Sequence, residues 1–109
     1  MIYRAILGNR YIIDKFEGTI DLKQEHQEKL PGKVRYESRN TVLIETPLIY
    51  EVGQSVSIGG FELGGKKFRL LELTITDYPN LPHASIVEIL NNQELLEKEK
   101  NSRGFKYVN

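Results

Sequence analysis

The stretch from Gly60 to Lys66 has the spacing of a phosphate-binding loop. Its residues, Gly-Phe-Glu-Leu-Gly-Gly-Lys, match the pattern G-x-x-x-x-G-K, in which backbone amides cradle phosphates and the lysine neutralises their charge. Position 67, however, is a second lysine rather than the hydroxyl residue that holds magnesium. Residues 68–76 also have the composition of a strand, so no helix N-terminus would face the phosphates. The pattern therefore predicts glycine-rich β-turns around a short strand, without a phosphate site.

The other reactive residue types lack the arrangement that catalysis or metal binding needs. His26 and His83 are the only histidines, they lie far apart, and no cysteine accompanies them. Ser85, His83 and Asp77 have the residue types of a catalytic triad, but a triad also requires an oriented base and an oxyanion hole. Among 15 acidic residues, carboxylates close in sequence arise by chance. We expect a protein that is not an enzyme and uses no cofactor or metal.

Basic residues fall into two groups that could face a nucleic acid. The first group lies on one predicted hairpin and the second on another: Lys33, Arg35, Tyr36 and Arg39, then Lys66, Lys67 and Arg69. If both hairpins share a face, the cations could follow a phosphate backbone while the aromatic ring stacks on bases. The alternative is a solvated strand face whose charges oppose aggregation. Zero net charge and neighbouring glutamates favour this alternative.

The C-terminal region contains a second candidate contact surface. Residues 92–103 are predicted to form a helix whose apolar anchors are Leu95 and Leu96, and the following tail alternates Phe105 and Tyr107 with a lysine. Such a helix can lie across the sheet of its own chain. Alternatively, the helix and tail could reach a neighbouring chain, because alternating aromatic residues suit strand addition.

The elements that must position these residues are mostly short extended segments between turns. Gly8-Asn9 separates Ile2–Leu7 from Arg10–Phe16 and predicts a tight hairpin, and Arg39-Asn40 predicts another. A short strand is expected over residues 48–52, after a proline. The longest predicted strand covers residues 66–76.

Two segments allow more than one interpretation. Residues 84–90 match a capping box that would start a helix, yet their β-branched residues favour a strand that returns along the strand at 66–76. Residues 21–32 place Leu22, His26 and Leu30 four apart, which predicts a short helix with one thin apolar stripe. A mobile loop is the alternative for this segment, because so thin a stripe buries little surface.

Length and composition set the frame for these elements. The chain has 109 residues with 15 basic and 15 acidic side chains and no cysteine. This length suits a single domain, 1–109, without disulfides, and about 65% of the unfolded surface becomes buried at this size. No signal peptide or membrane span is predicted, which favours a cytoplasmic protein. The abundance of isoleucine, lysine and asparagine resembles the usage of AT-rich bacterial or phage genomes.

The sequence as a whole predicts a mostly β fold. We expect a small antiparallel, partly open barrel or a two-layer sandwich of about seven strands with one C-terminal helix. The segment Glu51–Gly60 resembles a turn-plus-strand segment of SH3-like small barrels, a likeness that covers about a tenth of the chain and implies no function. The expected function is a non-enzymatic interaction module that binds another protein, or itself, through strand edges and the C-terminal tail. The alternative is a nucleic-acid-binding small barrel.

Overall fold

A computed structural model describes residues 1–90. The helix predicted over residues 92–103, and the predicted contacts of Leu95, Leu96, Phe105 and Tyr107, lie outside the described residues. All regular structure within residues 1–90 is β, in one mixed sheet that does not close. Its strands are β1 (Ile2–Ile6), β2 (Ile12–Ile13), β3 (Thr19–Gln24), β4 (Glu28–Ser38), β5 (Thr41–Glu45), β6 (Val56–Gly64), β7 (Lys67–Ile75) and β8 (Ser85–Leu90).

The strands are hydrogen-bonded in the order β2-β7-β3-β4-β5-β1-β8, and β6 pairs with β7 outside this path. Most neighbours are antiparallel, but β7 runs parallel to both β2 and β3. The expected antiparallel arrangement is therefore correct for most neighbours and wrong for these two pairs. No tight turn joins β7 to either of these partners, so the connection does not impose the antiparallel direction that a hairpin would.

The core lies on the face where apolar side chains from neighbouring strands meet. Leu22 of β3 lies beside Leu73 of β7, and Val34 of β4 lies beside Ile44 of β5. All four side chains have no exposed surface. Burying an aliphatic side chain of this size contributes about 1.5–3 kcal/mol to the free energy of unfolding.

The margins of the sheet meet at one place, between β6 and β8. Ser55 forms an isolated antiparallel bridge with Ser85. Beside it, the Val56 amide donates to the Ala84 carbonyl oxygen at 3.0 Å, and the Ile86 amide donates to the Gln54 carbonyl oxygen at 2.9 Å. We call this junction the seam. Within residues 1–90, β6 and β8 do not pair beyond the seam, so the sheet stays open.

The hairpin predicted around Gly8-Asn9 is absent. β1 pairs with β5 on one side and with β8 on the other, so neither of its edges is left for residues 10–16. Of that second predicted strand only Ile12–Ile13 is extended, and it pairs in parallel with β7. The turn signal was present, but the longer strands β5 and β8 occupy the partner positions.

Residues 21–32 form neither the predicted helix nor a loop. They belong to β3 and β4, which pair antiparallel across the turn at residues 25–27. Glu25 and His26 adopt left-handed φ angles of 49° and 60° in that turn. The strand is preferred because period-two alternation sends Leu22 into the core, whereas a helix would have buried only a thin stripe.

The remaining predictions have mixed outcomes. The Arg39-Asn40 turn, the long strand β7 and the strand β8 are confirmed. β8, however, pairs with β1 rather than returning along β7. Residues 48–52 are not a strand, because they are held through the Tyr3 hydroxyl instead of through a ladder of backbone hydrogen bonds.

Candidate interaction surface

The β6–β7 hairpin is closed by a tight turn. Gly64 pairs with Lys67, so Gly65 and Lys66 form the two-residue loop, with φ angles of 58° and 67°. Positive φ at both central residues is the geometry of a primed turn, whose twist matches that of the flanking strands. The pattern from Gly60 to Lys66 thus closes a hairpin, and a strand follows Lys66 as predicted.

Gly60 allows the two strands of this hairpin to approach. The register shifts between Gly59 and Gly60, where a bulge interrupts the ladder. A β-carbon on Gly60 would overlap the carbonyl oxygen of Arg69. Glycine is therefore required by the close approach of the backbones. The glycine-rich turn predicted at the start of the pattern from Gly60 to Lys66 is in fact the interior of β6.

The two faces of the hairpin differ in character. On the inner face, the Tyr11 hydroxyl donates to Glu62 at 2.5 Å, and the Tyr11 and Phe68 ring centroids lie 5.1 Å apart. The hydrogen bond to Glu62 raises the pKa of Tyr11. These contacts attach the hairpin to the segment before β2, so the opposite face is left outward.

The outer face of the hairpin is apolar and cationic. Phe61 lies directly opposite Arg69, and residues two positions along each strand share their face. Exposed fractions are 61% for Phe61, 49% for Leu71 and 43% for Leu63. We define the hairpin face as Phe61, Leu63, Lys67, Arg69 and Leu71. The hairpin face thus places three exposed apolar side chains side by side with two cations.

The hairpin face adjoins an open strand edge. Within residues 1–90, β7 is the only strand that pairs with β6 beyond the seam. The other edge of β6, over residues 58–63, therefore presents backbone N–H and C=O groups without a strand partner in the described part of the chain. An edge of this kind is a template for another strand.

The structure divides the seven residues of the predicted nucleic-acid surface among four places. Arg39 and Lys66 line one cavity, while Lys67 and Arg69 belong to the hairpin face. Lys33 and Arg35 lie elsewhere, on the exposed side of β4, where Arg35 Nε is 3.9 Å from Glu45. The Tyr36 ring, the fourth place, packs edge-on against Phe16, with centroids 5.7 Å apart.

A charged cluster that sequence reasoning missed surrounds Glu72. Its carboxylate lies 2.8 Å from Lys23 Nζ and 2.7 Å from His26 Nδ1. Burial by itself would raise the pKa of Glu72, but the hydrogen bonds from Lys23 and His26 outweigh it and lower the pKa. His26 and Glu72 lie 46 positions apart, and no local pattern connects them.

The structure gives no support to the other reactive residues as a site. The Ser85 hydroxyl contacts the backbone carbonyl of His83 and not its ring, and Asp77 lines a separate cavity beside residues 49–55. Among residues 1–90, no three His, Asp or Glu side chains are grouped to hold a metal ion. The same residues include no helix with the length and apolarity to cross a bilayer.

Comparisons with protein-family models, curated proteins and solved structures found no significant match to this chain.

Proposed function

We propose that this protein is a non-enzymatic interaction module that binds an extended segment of a partner protein along β6. The observation that carries the proposal is the coincidence of an open strand edge with the exposed hairpin face. The edge supplies backbone hydrogen bonds for an added strand. The face supplies side-chain contacts that select which strand is added.

The composition of the hairpin face indicates the chemistry of the partner. Phe61 and Leu63 occupy alternate positions along β6, and Lys67 and Arg69 occupy alternate positions along β7. An added strand lies next to β6, so its same-face residues meet Phe61 and Leu63 directly. The two cations lie one strand further away, on β7, where only long acidic side chains reach them. The matching segment alternates its outward residues between apolar and acidic side chains.

A peptide titration tests the proposal. The probe is a synthetic extended peptide whose same-face residues alternate between leucine and glutamate, and the readout is the change in backbone amide shifts of labelled protein. We expect the largest changes at residues 58–63, and a loss of affinity of at least about tenfold in Phe61→Ser, because buried aromatic anchors dominate such contacts.

A matched pair of variants separates this edge from general stickiness. Leu63→Ser and Val87→Ser remove similar apolar groups with similar exposure, 43% and 44%, but Val87 lies on β8. Only Leu63→Ser should weaken peptide binding. Equal losses of peptide affinity in the two variants, or amide-shift changes confined to residues outside β6, would contradict the proposal. Sedimentation of the protein alone detects the other outcome, in which a second copy occupies the edge.

The predicted contribution of the C-terminal tail stays a prediction within this proposal. Removing residues 92–109 and repeating the titration measures it: weaker binding would assign the tail to the same surface, and unchanged binding would limit the surface to β6.

A further inference from the structure

Three turns meet at the end of the molecule that carries the β6–β7 turn. The segment around β2 runs between them and bonds to two: the Ile12 amide donates to the Lys66 carbonyl oxygen at 2.8 Å, and the Ile13 amide donates to the Arg39 carbonyl oxygen at 2.7 Å. The Leu7 amide donates to the Asn40 carbonyl oxygen, also at 2.7 Å. These backbone bonds fix the β4–β5 turn, the β6–β7 turn and the loop after β1 relative to one another.

The three turns enclose a cleft of about 260 Å³. We call it the turn cleft, and its lining residues are Gly8, Asn9, Tyr11, Ile12, Arg39, Asn40 and Lys66. The lining contains two cationic side chains, two carboxamides and no carboxylate. Such a set presents many N–H donors and no negative charge, which is the donor set that phosphate oxygens require.

The cations of the turn cleft differ from the paired cations of the described chain. Arg4, Lys23 and Arg35 each lie within 4 Å of a glutamate carboxylate. In residues 1–90, Arg39 and Lys66 make no such ion pair, so their charge is not neutralised by a neighbouring side chain. Positive charge continues beyond the cleft at Arg10, which lies 5.5 Å from the Tyr11 ring centre, and at Lys67.

The backbone at Lys66 supplies an independent observation. Lys66 occupies the second central position of a primed turn with φ at +67°, where glycine or asparagine would be unstrained. A residue other than glycine has an energetic cost when its backbone is held at positive φ, and residues of this kind concentrate at functional sites. A lysine here places a charge at the mouth of the cleft that a glycine could not supply.

We infer that the turn cleft binds the phosphodiester backbone of a single-stranded nucleic acid. The cleft takes one phosphate between Arg39 and Lys66, and the unpaired cations Arg10 and Lys67 match neighbouring phosphates. A lone anion would contact only Arg39 and Lys66. The inference goes beyond the proposed function, because the residues that line the cleft are not part of the open edge of β6. Lys67, which flanks the cleft, is the one residue shared with the hairpin face.

Fluorescence anisotropy with a labelled single-stranded oligonucleotide tests the inference at about 50 mM salt, where electrostatic contacts are weakly screened. We expect affinity to fall steeply with salt. Both Arg39→Gln and Lys66→Gly should weaken binding about tenfold and reduce the salt slope by about 0.7 for each phosphate that the variant no longer neutralises. Lys66→Gly relieves the backbone, so its Tm should equal or exceed that of the wild type, which excludes unfolding as the cause.

Arg35→Gln is the matched control, because it removes one positive charge from an arginine that is paired with Glu45 outside the cleft. Its affinity should stay near that of the wild type. Equal weakening in Arg35→Gln would indicate a diffuse charge effect and would overturn the site. Absence of any binding at this salt concentration would overturn it as well.

Two further arms distinguish the source of the phosphate. Inorganic phosphate and a duplex of the same sequence are titrated in parallel while amide shifts at Asn9, Asn40 and Lys66 are followed. The inference expects the single strand to bind most tightly. Binding of inorganic phosphate as tight as that of the oligonucleotide would reassign the cleft to small anions. Leu63→Ser should leave these titrations unchanged, so failure here is distinguishable from failure of the peptide titration.

Discussion

The Tyr3 side chain organises a segment that has no strand of its own. Its hydroxyl donates to the Leu48 carbonyl oxygen and accepts from the Tyr50 amide, both at 2.9 Å, and the side chain is fully buried. The Tyr3 and Tyr50 rings meet edge-on with centroids 5.8 Å apart. One hydroxyl group therefore replaces the backbone ladder that a strand at residues 48–52 would have had.

Removing this hydroxyl should destabilise the fold. Tyr3→Phe leaves a backbone carbonyl and an amide without their partner in the interior, which costs about 1–3 kcal/mol in the free energy of unfolding. Urea unfolding measures the loss. Tyr36→Phe is the control, because the Tyr36 contact is a ring contact with Phe16 that the substitution preserves. A loss for Tyr3→Phe no larger than for Tyr36→Phe would show that the segment is held by other contacts.

The cluster around Glu72 predicts how stability responds to acid. The pKa of Glu72 is lower in the folded protein than in the unfolded chain, so in the acid range the unfolded state binds more protons. The stability that Glu72 contributes is fully present above the pKa of Glu72 in the unfolded chain. It is lost as the pH falls through the lower pKa of Glu72 in the folded protein. Between about pH 6 and pH 3, the Tm of the wild type should therefore fall further than the Tm of Glu72→Gln. Glu45→Gln, which removes a half-exposed carboxylate, should follow the wild type.

At the scale of elements, the β6–β7 hairpin depends on the absence of a β-carbon at Gly60. A methyl group at position 60 meets the backbone of Arg69, which cannot move without breaking the ladder. We expect Gly60→Ala to cost about 1–3 kcal/mol, the range of overpacked sites. Thermal unfolding measures it, and Phe61→Ala, at the next and exposed position, should cost less. A stability equal to wild type in Gly60→Ala would show that the bulge can relax.

Elements were predictable where their partners are close in sequence. Arg39-Asn40 joins two strands that pair with each other, and the strand-like composition of residues 66–76 and 84–90 identifies β7 and β8 as strands. The partners themselves were not predictable for β1, β2 and β8, since nothing local specifies which edge a strand will join. The same limit applies to the sites. Spacing predicted Arg39 in a turn and Lys66 at the start of a strand, but only the path of β2 brings the two residues to one cleft.

The Asp21–Leu30 segment shows a second physical reason for failure. Four-residue spacing of Leu22, His26 and Leu30 is compatible with a helix and equally with alternate positions of a strand, because four is a multiple of two. Burial of Leu22 between β4 and β7 decides between them, and that burial is a tertiary effect. Periodicity over so few apolar residues could not have decided it.

At the scale of the whole molecule, the seam is a weakly paired boundary of the sheet. It contains one bridge and a few backbone hydrogen bonds, whereas β5 is paired along its whole length on both sides. Local opening should therefore begin there. In native-state hydrogen exchange, the amides of Gly53, Val56 and Ile86 should exchange at least about tenfold faster than that of Ile44. Equal protection would indicate that the seam opens only with global unfolding.

The pairing of β1 with β8 has a consequence for how the chain is made. Residues 2–6 leave the ribosome long before residues 85–90, and β1 is flanked by β8 on one side for its full length. Until that late strand arrives, the nascent chain exposes an apolar margin that can pair wrongly or recruit a chaperone. Bringing together strands so far apart in sequence is slow, so we expect refolding in milliseconds to seconds rather than microseconds.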